Sequence, residues 1–124
     1  MALVSYVSTE EVGENLRPVF ENMERKLGAV PNVFRAMAHS PELLETFLGL
    51  NSALAKTQLD GKLRELAYIK TSELNGCDYC LQVHRALAKK TGLTDRQIQE
   101  TADHETSDAY DDLQRDVMRY ADEV

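Results

Sequence analysis

Tryptophan is absent, and the aromatic residues are limited to five tyrosines and three phenylalanines. Any core must therefore be built mainly from leucine and alanine, and the many glutamates and lysines around them favour helices over strands. No apolar run reaches the roughly 18 residues that a membrane-spanning helix needs. The N-terminus, Met1-Ala2-Leu3-Val4-Ser5-Tyr6, lacks a basic region followed by an apolar stretch, so no secretory signal is expected and the predicted location is the cytoplasm. Positive charge is also in short supply. With 14 basic and 21 acidic residues the formal net charge is −7, which argues against nucleic acid or an anionic membrane as a partner.

The hydrophobic share of 43% is enough for a globular core, and 124 residues leave no room for two independent ones. The expectation is one domain over 1–124, with 1–40 as an N-terminal helical extension. Hydrophobic spacing predicts an all-α chain. Ser8 and Glu11 fit a capping box for an amphipathic stretch from about Thr9 to Leu27, kinked or split at Pro18 and stopped at Gly28. Pro31 opens a short apolar piece, Val33 to Ala38. Ser40-Pro41 starts a third helix, with Leu43, Leu44, Phe47, Leu48 and Leu54 on its buried side. Asp60 caps a helix that ends at Asn75-Gly76, and Cys77 begins another that runs to Thr91 with Gly92 as its stop. Thr94 and Gln97 cap a short helix. Ser107 starts the last one, with Tyr110, Leu113, Val117 and Ala121 on one face.

Cysteine is scarcer than the aromatics. The only two, Cys77 and Cys80, enclose Asp78-Tyr79, and His84 follows four residues later. Two thiols at this spacing can close a small disulfide ring, and in a reducing compartment such a pair points to redox or metal chemistry before a structural staple. At about 100° per residue Cys77, Cys80, Leu81, His84, Leu87 and Ala88 share one arc, with Gln82, Arg85 and Lys89 opposite. A helix N-terminus favours a thiolate at both cysteines, and an imidazole one turn on favours Cys80. Against this stands the reading of two cysteines and a histidine as ordinary interior residues. Zinc would find three ligands here and requires a fourth or an open position; His39 and His104 stand in other segments.

Glu65 completes a longer pattern: a glutamate, eleven residues, Cys-x-x-Cys, three residues and His84. Together with Leu63-Arg64-Glu65-Leu66-Ala67 and Glu73-Leu74-Asn75-Gly76, this resembles the alkylhydroperoxidase AhpD-like branch of the carboxymuconolactone decarboxylase family, over about Pro41 to Glu100. The resemblance implies an all-helical, oligomeric fold, a trimer or hexamer, and a thiol-dependent peroxidase without a bound cofactor or metal. Glu65 and His84 would relay the proton of Cys80. Cys80 would attack a hydroperoxide and become a sulfenic acid, Cys77 would resolve it as a disulfide, and an external dithiol or protein reductant would restore both thiols. The chain departs from the best-known peroxidases in carrying Tyr79, not histidine, immediately before the second cysteine. Tyr79 can be an auxiliary group but cannot accept a proton near neutrality as imidazole does.

The wheel alone sets Glu65 nearly opposite Leu63, Leu66, Ala67 and Leu74, which reads as a solvated carboxylate. Tyr68, Ile69 and Ser72 flank it, however, and a helix apolar on both sides is enclosed. Glu65 would then need a partner, and His84 is the natural one. His39 and His104 read as loop residues, Arg64 and Lys70 as solvent charges or contacts to an acidic substrate, and Asp103 to Asp112 as a solvated face. Two other functions share the expected fold. One is a lactone decarboxylase using His84 and Glu65 as acid–base groups, although decarboxylation needs no resolving thiol. The other is a low-turnover stress-response binding protein.

Overall fold

The computed structural model describes residues 3–124. Among these residues there are seven α-helices and no strand, the all-α class that composition and periodicity indicate. They are α1 (Arg17–Leu27), α2 (Asn32–Met37), α3 (Pro41–Leu54), α4 (Gly61–Leu74), α5 (Asp78–Thr91), α6 (Asp95–Gln99) and α7 (Asp112–Glu123), with a 3₁₀ turn at Thr101–Asp103. The chain divides into two compact units, Met1–Lys56 and Thr57–Val124. Residues 1–40, read from the sequence as an extension, lie in the first unit together with α3.

The first unit closes around Val12, Leu16, Phe20, Val30, Ala38 and Leu44. Its first helix is shorter than the sequence suggested. Ser8 and Glu11 do exchange reciprocal bonds, the Ser8 N–H donating to Glu11 Oε2 at 2.9 Å and the Glu11 N–H to Ser8 Oγ at 3.3 Å. The chain then passes through turns, and α1 begins only at Arg17. Pro18 explains the difference. Within a longer helix it would forfeit the bond to residue 14, whereas in the first turn its missing N–H has no intrahelical partner to lose. On α3, Leu44 is fully buried and Phe47 and Leu48 are half-buried, but Leu43 and Leu54 are exposed, contrary to expectation. Both lie about 80–100° round the wheel from Leu44, beyond the edge of the covered stripe.

The second unit is organised by α4, which packs against both α5 and α7. Leu66 and Ile69 of α4 meet Ala88 of α5, Met118 of α7, and Leu93, Ile98 and Tyr110 between them. The helix starts follow the predicted caps. The Asp60 side chain accepts from the Lys62 N–H at 2.5 Å, and Thr94 with Gln97 forms a full capping box. The last helix begins at Asp112 instead of Ser107, because Asp111 with Gln114 supplies a second full capping box. Ser107 and Tyr110 are spent on other bonds: the Ser107 hydroxyl donates to Glu100 Oε2, and the buried Tyr110 O–H donates to the Gln97 carbonyl at 2.6 Å. Burial raises the Tyr110 phenol well above its ordinary pKa, so it remains a donor. Leu113, expected inward, is exposed, and Met118 fills the core in its place.

The stretch from Asp103 to Asp112 is not uniformly solvated either. His104, placed from the sequence in a surface loop, is buried; its Nδ1–H donates to the Thr101 carbonyl at 3.2 Å, and its Nε2 lies 3.4 Å from Asp122 Oδ2. Lys70, read as a solvent charge or a contact to an acidic substrate, is buried with its Nζ 3.4 Å from Asp122 Oδ1. The two share one neighbour, Asp122 of α7, a helix that packs against α4.

Charge pairing ties the α6–α7 region to pH. Two Arg119 nitrogens hold Glu105 at 2.7 and 2.6 Å, and Arg96 holds Asp108 as well as Glu100. Arg119 keeps the Glu105 carboxyl below its usual range and Arg96 does the same for Asp108, while for Glu100 the Ser107 hydroxyl leads and Arg96 follows. Carboxyls depressed in the folded state stabilise it above their unfolded pKa and stop doing so as pH falls through the folded one. The urea midpoint should therefore drop between about pH 6 and about pH 3, and Arg119→Gln should shrink that drop. These pairs are exposed, so the effect should also weaken in salt.

The junction between α4 and α5 is a left-handed turn. Gly76 has φ 60°, its N–H donates to the Glu73 carbonyl at 3.0 Å, and the Cys77 N–H donates to the Ser72 carbonyl at 3.0 Å. This pair of bonds closes α4 and delivers Cys77 to the first turn of α5. An added Cβ at Gly76 would meet nothing within 4 Å, so its cost is backbone strain alone. Gly76→Ala should lower stability by about 1 kcal/mol, read as a lower urea midpoint at unchanged m.

Candidate active site

Cys77 is the N-cap of α5, and its sulfur accepts from the Cys80 N–H at 3.3 Å. The two cysteines are joined as a disulfide, with Cα atoms 5.3 Å apart. The ring sits on the first turn of α5, where Cys77 and Cys80 are both half-buried. One turn on, His84 is half-buried and turned towards α4, where its Nδ1 lies 2.9 Å from Glu65 Oε2. A carboxylate can only accept, so the Nδ1 proton belongs to the histidine and, in the neutral ring, Nε2 carries the free lone pair. That tautomer can take a proton from a thiol. His84 is also stacked on Tyr68, ring centroids 4.5 Å apart and planes 20° from parallel.

Glu65 is only 9% exposed, so the solvated reading from the wheel fails. The wheel gives the angle between Glu65 and Leu66 but not which sides are covered, and α5 and α7 cover both. The arc predicted for α5 points inward at graded depth: Ala88 is buried, whereas Leu81, His84 and Leu87 are half-buried. Gln82 and Lys89 are exposed as expected. Arg85 is half-buried, its guanidinium 3.5 Å from Glu73 Oε1, which also accepts from the Thr101 hydroxyl at 2.5 Å. Tyr79, beside Cys80, is exposed at the surface. His39 is exposed too, its Nε2 2.9 Å from the Ser5 carbonyl, far along the chain from the other candidates.

The stacking of Tyr68 was not read from the sequence. The signal was available, since Tyr68 stands three residues after Glu65 and so shares its helix face. No group of three or more His, Cys, Asp or Glu among the described residues is arranged to hold a metal ion, and in the disulfide form neither sulfur is a thiolate ligand. Open clefts of about 380 and 430 Å³ lie in the first unit, lined in part by Glu11 and His39 and by Glu24 and Arg35 respectively. Neither includes the disulfide or its neighbours.

The carboxymuconolactone decarboxylase family model matches residues 41–123. The chain belongs to this family. Its fold is similar to that of a cysteine-to-alanine variant of the debrominase Bmp8 in complex with 2,3,4-tribromopyrrole, with a TM-score of 0.82 and 26% identity. That likeness covers 98% of this chain and 65% of the debrominase chain. A protein of Bacillus subtilis (strain 168), the uncharacterized protein YdfG, is 29% identical over 59 residues, 48% of this chain and 40% of its own length. This member of the family therefore matches less than two thirds of each of these relatives. No helix among its described residues is long and apolar enough to cross a membrane.

Proposed function

We propose that the chain is a thiol-dependent peroxidase in which Cys77 and Cys80 cycle between dithiol and disulfide. The observation that carries this reading is the Cys77–Cys80 disulfide one helical turn from a histidine held by a buried carboxylate. In the reduced form His84 Nε2 takes the proton of Cys80. The thiolate attacks the terminal oxygen of a hydroperoxide, the O–O bond breaks, and the alkoxide leaves as an alcohol with the proton that His84 returns. Cys80 is then a sulfenic acid; Cys77 displaces its hydroxyl as water and the disulfide forms. An external dithiol or protein reductant returns two electrons and two protons. No cofactor enters this cycle.

A homo-oligomer, trimer or hexamer, belongs to the same proposal, and the exposed Leu113 and Tyr120 of α7 support it. The test of the chemistry is stoichiometric. The reduced chain should lose both thiols to one equivalent of hydroperoxide and should consume hydroperoxide continuously with a dithiol present. Retention of both thiols would sink the proposal.

The likeness to a debrominase supports a second reading. The same dithiol could replace bromine by hydrogen on an aromatic ring, forming the disulfide and releasing bromide and a proton. It predicts disulfide formation and bromide release with a brominated pyrrole, and no thiol loss to hydroperoxide. A decarboxylase, using only Glu65 and His84, would leave the thiols intact under both conditions.

A further inference from the structure

We propose that Tyr68 is a positioning residue that fixes the plane of the His84 imidazole, so that the ring nitrogen not bonded to Glu65 is presented in one orientation for proton exchange. The proposal rests on the reading above, in which His84 takes the proton of Cys80. One hydrogen bond does not fix an aromatic ring. The bond from Nδ1 to Glu65 Oε2, 2.9 Å long, holds the imidazole at one edge, and χ2 of histidine has a broad torsional profile, so the ring can swing off that bond against little torsional resistance. A flat group packed against the face removes this freedom. Tyr68 supplies it, its ring centroid 4.5 Å from that of His84 and the planes within 20°.

The two restraints come from one helix. Glu65 and Tyr68 are three residues apart on α4, neighbours on the side turned towards His84. Glu65 grips the ring by its edge and Tyr68 by its face, and α5 supplies the third anchor through the His84 backbone. Both grips stand on a helix packed along α5, which is the rigid support that a proton-transfer group needs. The tyrosine hydroxyl has no part in this role. The face of the ring does, which separates the proposal from one in which Tyr68 donates or accepts a proton.

The test compares Tyr68→Phe, Tyr68→Leu and Tyr68→Ala in the full chain. Nitrogen-15 NMR of the histidine ring reports the His84 tautomer without any turnover. The native chain and Tyr68→Phe should show the Nδ1–H tautomer alone, whereas Tyr68→Leu and Tyr68→Ala should show averaging with the Nε2–H form. With dithiol and hydroperoxide, Tyr68→Leu should lower kcat by between about ten- and a hundred-fold at unchanged KM, and Tyr68→Phe should stay within about two-fold of the native chain. Leucine keeps an apolar side chain in place without the flat face, so the comparison survives if alanine fails to fold. A native tautomer and native kcat in Tyr68→Leu would overturn the proposal, as would a Tyr68→Phe as impaired as Tyr68→Leu. If the native chain turns over no hydroperoxide, the peroxidase reading fails alone, and the tautomer measurement still decides the role of Tyr68.

Discussion

Cys80→Ser should reduce dithiol-dependent hydroperoxide consumption to background, a fall of at least about a thousand-fold, while Cys77→Ser, reduced and then freed of dithiol, should consume one equivalent of hydroperoxide and stop. The asymmetry follows from where the sulfurs sit. Cys80 is four residues before His84 on α5, on the side where a turn-apart imidazole can take its proton, and Cys77 caps the helix. A serine at 80 has neither the acidity nor the polarisability to attack a peroxide oxygen. A serine at 77 leaves the attacking thiol intact, so one equivalent of hydroperoxide is reduced and Cys80 remains a sulfenic acid with no neighbour to condense with. A sulfenic-acid trap should therefore label Cys77→Ser once per chain and Cys80→Ser not at all. If the two variants exchanged phenotypes, Cys77 would be the attacking thiol and the relay would have to be redrawn. If both kept native turnover, the sulfurs would lie outside the chemistry and an acid–base reaction at His84 would take their place.

How much of this was legible in the sequence depended on the range of the interaction. Helix boundaries set by local bonds were readable: Asp60, Gly76, Gly92 and the Thr94–Gln97 box stand where the residue types predicted. Local signals misled where a nearby alternative won. Ser8 and Glu11 bond as a box yet cap a turn, because Pro18 defers the helix, and Ser107 gave way to Asp111. What the sequence could not supply was which faces meet. Glu65 looked solvent-facing on its own helix and is buried because α5 and α7 both pack against α4, while Lys70 and His104 are buried beside Asp122 of α7. What pointed past that ambiguity was the family resemblance carried by the spacing of Glu65, Cys77, Cys80 and His84, because a family pattern that spans two helices implies that they pack together.

Glu65→Gln should lower kcat by about a hundred-fold with little change in KM or in stability. The amide oxygen can still accept the Nδ1–H of His84, so the ring keeps its tautomer and its edge contact. In the proposed cycle, what disappears is the negative charge that would stabilise the imidazolium formed when the ring takes the proton of Cys80, the part that a buried aspartate plays behind the histidine of a serine-protease triad. Glu65→Leu goes further, since it leaves a half-buried Nδ1–H without an acceptor; about 1–3 kcal/mol of stability should go with it, seen in the urea midpoint. The pair of variants separates two roles that a single deletion would confound. Were Glu65 only a tie between α4 and α5, Glu65→Gln would be as active as the native chain and Glu65→Leu impaired through stability alone. A charge requirement gives the opposite order: the well-folded glutamine variant already shows most of the catalytic loss, and the leucine variant adds instability to it.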